Sequence, residues 1–436
     1  MAQPLRTWRS LAVISVSALA LAACGSNDSE TGSAAPSSSA GASSSAPAAA
    51  SAADGVFTVG TLLPQTGSLA FLGPPEFAGV NLAIKDINEA GGVLGKPAAK
   101  FDSDSGDTST NIASSSVDRL LSQKVDVIVG AASSGVTKTV IDKITGAGVV
   151  QFSPANTSPD FTDYPDKGLY FRTAPSDVLQ GRVLGNLIVE DGNQTVGILA
   201  LQDAYGTGLS KNVSEAVTGS QGQVTPAPVI YDPKAAEFSA EVGKIKAADP
   251  DAIVVIGFDE SSKIIQELVK QGIGPQQGKK LYLVDGNTGN ALGKTLPPGT
   301  LKDVKGTVPG VAATGDFQAR LKTVDPALAD FSYSAESYDA TVLSALAAIS
   351  AKSDSGTAVA SKLVDVSREG TKCTTFKACS DLLASGQNID YDGQSGPVEF
   401  SPKGDPLEAS IGVYTYDAAN TIPATAQVYE SGKLDG

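Results

Sequence analysis

The chain has 436 residues, with 47 acidic against 32 basic side chains, no histidine and a formal net charge of −15 at pH 7. A surface this acidic argues against nucleic acid as a partner and against anionic ligands drawn in by long-range attraction. The absence of histidine from the sequence excludes Ser-His and Cys-His nucleophilic catalysis and the usual zinc sites. Binding is therefore favoured over catalysis, and we expect neither a metal nor a cofactor.

The first 23 residues have the pattern of a secretory signal peptide. Arg6 and Arg9 precede the apolar run LAVISVSALALAA, which is too short to span a bilayer. The motif LAAC, Leu21–Cys24, matches the bacterial lipobox, in which the cysteine is lipidated and becomes the new N-terminus. The alternative is an ordinary signal peptide cut at an A-x-A-like site. The pattern favours an extracytoplasmic protein whose only membrane contact is a lipid on Cys24, at the outer face of the cytoplasmic membrane.

Residues 24–54 are predicted to form a flexible tether. From Gly25 to Ala53, 20 of 29 residues are Ala or Ser, so the segment cannot bury enough apolar surface to offset its ordering entropy. The rest of the chain, from residue 55 to the end, is long enough for two domains.

Beyond the tether, short apolar runs alternate with helical patterns. The run EFAGVNLAIKDINEAGG predicts a helix that ends at Gly91, and its apolar face consists of Phe77, Val80, Ala83, Ile84 and Ile87. Strands are predicted at FTVGTLL, VDVIVG, GVVQFSP, TVGILAL, DAIVVIG and KLYLVDG. Strands that are apolar throughout and separated by helices indicate an α/β fold with parallel sheets covered on both faces.

Two polar loops follow neighbouring predicted strands. GAASSGVT nearly spells a phosphate-binding loop, but Val136 stands in place of the lysine; it nearly spells a serine-hydrolase elbow, but Ala131 replaces the first glycine. Ser133 and Ser134 of this loop, together with SPANTSPD (Ser153–Asp160), offer hydroxyl and N–H groups near a helix start. Such loops at strand ends suit a small carboxylate. Plain helix capping is the alternative.

Cys373 and Cys379, in CTTFKAC, are the other two cysteines. Outside the cell such a close pair predicts a disulfide that closes a small loop, worth about 2 kcal/mol in the chain-entropy model. A redox pair is less favoured because the C-x-x-C spacing is missing.

The segment VGTLLPQTGSLAFLGPPEFAGVNLAIKDINEAGGVLGK resembles the first strand, loop and helix of the branched-chain amino-acid-binding proteins of ABC transporters. VGAASSGVT, QFSPANTSP, FRTAPSD, DAYGTG and GPVEFSPKGDP follow in the order and at the spacing of that family. The resemblance implies the two-lobed type I periplasmic binding fold, in which each lobe is a mostly parallel sheet flanked by helices and three strands form the hinge. It assigns residues 55–174 and 308–395 to the N-terminal lobe, and 175–307 and 396–436 to the C-terminal lobe.

The resemblance also implies a ligand site. Ser134, Ala155 and Thr157 match positions that hold the α-carboxylate of an amino acid. Tyr205 matches a tyrosine that covers the ligand, and Asp285 falls where the family has an acidic residue facing the ammonium. The physical expectation agrees, because a buried cation needs a fixed carboxylate partner. An Asp-Gly turn is the alternative for Asp285.

Some positions depart from the family pattern. Leu72 and Phe258 stand where well-known members have tyrosines, and Asp285 is one carbon shorter than the usual glutamate. Tyr333 could line the side-chain pocket, although an aromatic residue entering a helix is often core. The sequence therefore predicts a monomeric receptor that passes a small, hydrophobic or branched-chain amino acid to an ABC permease with its ATPase. The alternatives are a sensor or transport receptor for a short amide, urea or aromatic acid, and an exported hydrolase using the ASSG serines.

Overall fold

The structure is a computed structural model that describes residues 53–434. The predicted signal peptide, Cys24 and nearly all of the predicted tether lie outside the described residues. Within residues 53–434, no helix combines the length and the apolar character needed to cross a membrane.

The first part of the chain builds an open parallel sheet. Its elements are β1 (Thr58–Leu63), α1 (Gly73–Glu89), β2 (Ala99–Asp104), α2 (Ala113–Ser122), β3 (Val127–Gly130), α3 (Ser134–Gly146), β4 (Val150–Ser153) and β5 (Tyr170–Arg172). The strand order is β2-β1-β3-β4-β5, and every neighbouring pair is parallel. β1, β3 and β4 are buried along their whole lengths, as expected for apolar strands covered on both faces.

The middle of the chain starts a second sheet. Its elements are α4 (Asp177–Glu190), β6 (Thr195–Leu201), α5 (Ala204–Gly219), β7 (Gln223–Val224), β8 (Val229–Tyr231), α6 (Ser239–Ala248), β9 (Ala252–Ile256), α7 (Ser261–Lys270), β10 (Lys280–Leu283), α8 (Asn290–Lys294) and β11 (Lys305–Pro309). The strands run parallel in the order β11-β10-β9-β6-β7, and β8 also pairs with β6.

The last part returns to the first sheet and then to the second. Its elements are α9 (Gly315–Leu321), α10 (Ser334–Ala351), α11 (Gly356–Val366), β12 (Thr371–Cys373), α12 (Phe376–Ala384), β13 (Ile389–Tyr391), β14 (Glu408–Thr415) and β15 (Val428–Lys433). α10 packs against α1 and lies on β3 and β4, while β14 and β15 extend the second sheet in antiparallel pairing beside β11.

The chain therefore passes between the two sheets three times. We call the first sheet with α1–α3 and α9–α12 the first lobe, and the second sheet with α4–α8 the second lobe. This architecture confirms the predicted fold class, two α/β lobes whose mostly parallel sheets are flanked by helices. The residue boundaries assigned to the lobes from the sequence stay a prediction.

α1 shows how local sequence fixes a helix. Pro74 and Pro75 occupy its first turn, where a missing N–H costs nothing, so it begins three residues before the predicted start. Gly91 and Gly92 then adopt φ of 108° and 80°, which end the helix where predicted.

The predicted disulfide is present. The sulfur atoms of Cys373 and Cys379 are bonded, and the Cα atoms lie 5.4 Å apart. The bond links the end of β12 to α12. This confirms the predicted disulfide; its structural role stays a prediction.

A buried ion pair joins distant parts of the chain. Arg172, at the end of β5, is fully buried, and its Nε lies 2.6 Å from Oδ1 of Asp405, which is 7% exposed. The Arg172 Nη1 donates to the carbonyl oxygen of Ser158 at 2.7 Å, and Nη2 donates to Thr162 Oγ1 at 3.1 Å. The guanidinium thus fastens the loop after β4 to the turn that precedes β14.

Replacing Asp405 with alanine is expected to lower the free energy of unfolding by about 3–5 kcal/mol, because the Arg172 charge stays buried without its partner. Chemical denaturation measures the change. The matched control is Asp163→Ala, which breaks an exposed pair with Lys403 (82% and 42% exposed) and should cost at most about 1 kcal/mol. Equal losses in the two variants would contradict the structural role of the buried pair.

Candidate functional site

The loop between β3 and α3 brings a helix N-terminus to the edge of the first sheet. Gly130 has φ of 125°, and a Cβ there would lie 2.1 Å from the carbonyl oxygen of Leu62, so only glycine fits. Ser133 is the N-cap, and its Oγ accepts a hydrogen bond from the N–H of Val136 at 3.3 Å. The N–H groups of Ser134 and Gly135 have no acceptor within residues 53–434. They carry the positive end of the helix dipole.

The loop after β4 is tied to the loop after β3. Ser153 Oγ donates to the carbonyl oxygen of Ala131 at 2.7 Å, and Asn156 Nδ2 donates to the carbonyl oxygens of Ala131 and Ala132 at 3.0 and 2.8 Å. Ser134 Oγ accepts from the N–H of Ser158 at 3.3 Å. All of these groups are buried, so the two loops form one rigid surface.

A buried carboxylate faces this surface. Asp285, in the turn after β10, accepts hydrogen bonds from Tyr205 Oη at 2.6 Å, Tyr333 Oη at 2.8 Å and Gln180 Nε2 at 3.1 Å. Tyr333 adopts a left-handed conformation with φ of 56°, which is uncommon for a residue other than glycine. Backbone strain of this kind concentrates at functional sites.

Apolar side chains close one end of the space between these surfaces. The ring of Phe258 stacks on Tyr205, with centroids 5.5 Å apart and planes 9° from parallel. Leu72, Ala132 and Ala155 come from the first lobe yet pack in the hydrophobic cluster of the second lobe. The lobes are therefore closed on each other around the site.

A narrow cavity of about 20 Å³, room for about one water molecule, lies between these surfaces. It is lined by Leu69, Leu72, Ala132, Ser133, Ser134, Ala155, Thr157, Tyr205, Phe258, Asp285, Gly286 and Tyr333. A ligand larger than water therefore enters only when the lobes move apart, and the lining it meets is polar at two opposite walls and apolar elsewhere.

The cavity is acidic on the Asp285 side. Burial raises the pKa of the Asp285 carboxyl above its ordinary value, while the hydrogen bonds from Tyr205, Tyr333 and Gln180 oppose the rise. Burial and the neighbouring Asp285 raise the pKa of Asp177 well above the ordinary value. A cation placed beside Asp285 would stabilise the ionised carboxylate, because its opposite charge compensates for the water that burial removes.

All nine residues predicted as ligand-binding line this one cavity: Leu72, Ser133, Ser134, Ala155, Thr157, Tyr205, Phe258, Asp285 and Tyr333. Their roles toward a ligand stay predictions. Two of the alternative interpretations are also present, since Ser133 caps α3 and Asp285 lies in a turn with Gly286. In both places the local motif and the cavity wall coincide.

Sequence reasoning missed the residues that support the cavity from behind. Asn156 and Ser153 stand inside the quoted loop SPANTSPD, but nothing in the loop marks which of its polar groups turn inward. Gln180 lies within α4 and contacts Asp285 across 105 residues of sequence. No local pattern signals such a contact.

Comparison with known proteins identifies the family of the chain. Residues 56–418 match the family model described as periplasmic binding protein. The chain is 30% identical to Leu/Ile/Val-binding protein homolog 3 of Brucella melitensis over 214 residues, which are 48% of this chain and 56% of that protein. It thus spans little more than half the length of that relative. It is 27% identical to the chemotactic signal transduction substrate-binding protein BasB of Halobacterium salinarum, over 80% of this chain and 84% of that protein.

Solved structures share the fold. The branched-chain amino-acid transporter substrate-binding protein LivJ of Streptococcus pneumoniae, in complex with isoleucine, aligns with a TM-score of 0.69 at 23% identity, covering 87% of this chain and all of that one. A solute-binding protein of R. palustris in complex with benzoate aligns with a TM-score of 0.65 at 19% identity, covering 86% and 98%. At these identities the likeness shows the fold alone.

Replacing Asn156 with alanine is expected to lower the free energy of unfolding by about 1–3 kcal/mol, because Tyr170 Oη and the carbonyl oxygen of Ala132 lose a buried partner. Thermal or chemical denaturation measures the effect. Asn388→Ala, at an exposed asparagine, should change stability by no more than about 0.5 kcal/mol. A neutral Asn156→Ala variant would show that the two loops do not depend on this side chain.

Proposed function

This chain belongs to the periplasmic binding protein family, and we propose that it captures a small hydrophobic amino acid between its lobes and delivers it to an ABC permease. The family consists of solute-binding proteins rather than enzymes and is extracytoplasmic. One observation carries the proposal. The cavity opposes a buried carboxylate, Asp285, to a helix N-terminus and hydroxyl groups on the other wall.

The α-carboxylate of the amino acid would lie against the first lobe. Ser133 and Ser134 at the N-terminus of α3 line this part of the site together with Thr157, and a helix N-terminus favours an anion. Hydrogen bonds to an ionised acceptor are about twice as strong as neutral ones. The rigid pairing of the two loops keeps these donors in place before the ligand arrives.

The ammonium group would lie beside Asp285. A buried ammonium without a carboxylate partner is costly, and Asp285 is only 8% exposed and held by three donors. Tyr205 and Gln180 belong to the second lobe, whereas Tyr333 begins α10 of the first lobe. The ammonium site is therefore complete only when the lobes are closed, which couples ligand capture to closure.

The apolar end of the cavity favours an aliphatic side chain. Leu69, Leu72 and Phe258 offer no hydrogen-bonding group there. This agrees with the names of the relatives that bind Leu, Ile and Val. An aromatic acid such as benzoate is the second candidate, because one similar structure contains it. It has no ammonium group, so it would leave Asp285 buried and unpaired, and we favour the amino acid.

Placement at the membrane is part of the proposal. The lipobox cysteine Cys24 would carry the lipid and residues 24–54 would form the tether, so that the receptor stays near its permease. The disulfide between Cys373 and Cys379 fits the oxidising space outside the cytoplasm. We propose further that lobes bounded at residues 174/175, 307/308 and 395/396 move about these crossings, and that the receptor acts as a monomer.

Titration calorimetry with amino acids and truncated analogues tests the ligand class. We expect binding of at least one of L-leucine, L-isoleucine and L-valine. The analogue without the ammonium group (4-methylpentanoate) and the analogue without the carboxylate (3-methylbutylamine) should each bind at least about 30-fold more weakly than L-leucine, because each leaves a buried group unpaired. If no amino acid gives a binding heat while benzoate or a short amide does, the proposal is replaced by a receptor for an aromatic acid or a short amide.

Replacing Asp285 with asparagine should weaken amino-acid binding by at least about 30-fold while the protein stays folded, because the variant keeps the shape but removes the charge. Calorimetry measures the affinity, and a thermal melt of the ligand-free protein checks the fold. The control Asp259→Asn removes an exposed acidic group beside Phe258 and should change affinity less than about threefold. Equal affinities of Asp285→Asn and the parent protein would exclude the assigned ammonium partner.

A further inference from the structure

The two lobes touch directly beside the cavity through the N-terminus of α5. Ser158 Oγ in the first lobe donates to the carbonyl oxygen of Ala204 in the second lobe at 2.9 Å. A Cβ on Gly208 of α5 would lie 2.8 Å from Cδ of Pro159 in the first lobe. The helices α3 and α5 also pack against each other here. The lobes therefore meet at this point with no space for a larger side chain.

Asp203 occupies the centre of this contact. It is the N-cap of α5, and its Oδ1 accepts from the N–H of Gly206 at 2.7 Å. Its other oxygen, Oδ2, is buried and has no hydrogen-bond partner within residues 53–434. A Cβ built on Gly135, the second residue of α3, would lie 2.8 Å from that oxygen. The Asp203 carboxyl is thus aimed at the N-terminus of α3 from the opposite lobe.

That helix end is also where the ligand carboxylate is placed by the proposed function. Two ionised carboxylates at one buried helix terminus repel each other, and half a unit of positive charge cannot neutralise both. One of the two must be neutral for the lobes to close at low cost. The ligand carboxylate is fixed by its strong donors, so the proton belongs on Asp203.

We propose that Gly135, Ser158, Asp203, Ala204 and Gly208 form a closure latch, in which Asp203 takes up a proton from solvent as the lobes close over the ligand. This inference concerns the regulation of the proposed amino-acid site and rests on that function. It makes Asp203 a residue that sets affinity without belonging to the ligand-contacting walls of the cavity.

The surroundings of Asp203 agree with a neutral carboxyl in the closed form. Burial raises its pKa to about 6, hydrogen bonds from the N–H groups of Gly206 and Tyr205 oppose the rise, and the charge of Glu260 adds to it. The other charged or titratable groups nearby are Asp177 at the start of α4 and Tyr231 at β8. On α3, the nearest charged side chain along the helix is Lys138, which pairs with Asp160.

The direction of the pH effect follows from the raised pKa. Opening the lobes takes the first lobe away from Asp203 and so removes part of its burial, and the closed form therefore binds the proton more tightly. Closure gains stability as the pH falls through about 6 and reaches its limit below the ordinary value. Above that window the Asp203 carboxyl is ionised in both the open and the closed form, and its repulsion of the ligand carboxylate opposes closure in full.

Asp203→Asn tests the latch, because asparagine caps a helix about as well as aspartate but cannot ionise. We expect the variant to bind L-leucine more tightly than the parent protein at pH 7.5, by at least about threefold and at most about 100-fold, the limit set by two pKa units. The difference between the two affinities should narrow at pH 5 and vanish only below about pH 4, the ordinary pKa of an aspartate. Calorimetry in buffers of different ionisation enthalpy should show uptake of up to about half a proton at pH 6 by the parent protein and less by the variant.

Two controls separate charge from shape. Asp163→Asn removes an exposed charge of the first lobe and should behave as the parent protein. Gly208→Ala obstructs the same contact without touching Asp203. It should weaken binding relative to the parent protein by the same factor at pH 5 and at pH 7.5.

Parallel affinities of the parent protein and Asp203→Asn at both pH values, with equal proton uptake, would overturn the latch while leaving the amino-acid site standing. Absence of leucine binding in every variant counts against the proposed function instead. The latch is then decided by small-angle X-ray scattering of the ligand-free proteins. It predicts a radius of gyration that decreases from pH 7.5 to pH 5 in the parent protein and is already smaller at pH 7.5 in Asp203→Asn, and identical radii at both pH values overturn it.

Discussion

The site depends on one buried cation, the guanidinium of Arg172. Its Nη1 draws the carbonyl oxygens of Asn156 and Ser158 toward itself, at 3.3 and 2.7 Å. In a trans peptide the N–H of the next residue points the opposite way, so fixing the carbonyl of Asn156 directs the N–H of Thr157 away from the guanidinium. A lysine could not hold two carbonyls and the Asp405 carboxylate in one plane. The geometry of the proposed anion-binding wall is therefore set from behind, by a charge that lies outside the cavity lining.

The opposite wall is built differently, because the hydrogen-bond donors to its carboxylate come from both lobes. Asp285 gains hydroxyl donors from Tyr205 in α5 and Tyr333 at the start of α10, and an amide donor from Gln180 in α4. These donors orient the carboxylate but leave its charge uncompensated, and its raised pKa reflects that imbalance. A ligand cation removes the imbalance. In the closed state without a ligand, the lobes are already packed against each other, but the Asp285 carboxylate has no positive charge beside it.

Sequence patterns predicted the elements whose signals are local, but they missed the residues whose roles depend on contacts with distant parts of the chain. The strands β1, β3, β4, β6 and β9 follow from uninterrupted apolar runs, and the site loops follow from the strand-end rule together with the family resemblance. α5 begins at Ala204, before the predicted GLSKNVSEAV, because the Asp203 cap outweighs the glycines of its first turn. Gln180 escaped prediction because Asp285 lies 105 residues away, and Asn156 because its side-chain partners lie 14 to 25 residues away. Asp203 escaped it because an N-cap and an interlobe contact look alike in sequence.

The acidic surface and the cavity act on the charge of a ligand at different distances. A net charge of −15 repels anions and attracts cations before contact, although salt screens this field beyond about 8 Å at physiological ionic strength. At contact, an anion finds the N-terminus of α3 but leaves Asp285 unpaired, and a cation finds Asp285 but leaves the N–H groups of α3 unpaired. A zwitterion is indifferent to the distant field because its net charge is zero, and it satisfies both walls at once. The distant field disfavours anions and the two walls disfavour ions of a single sign, so both agree with the proposed zwitterionic ligand.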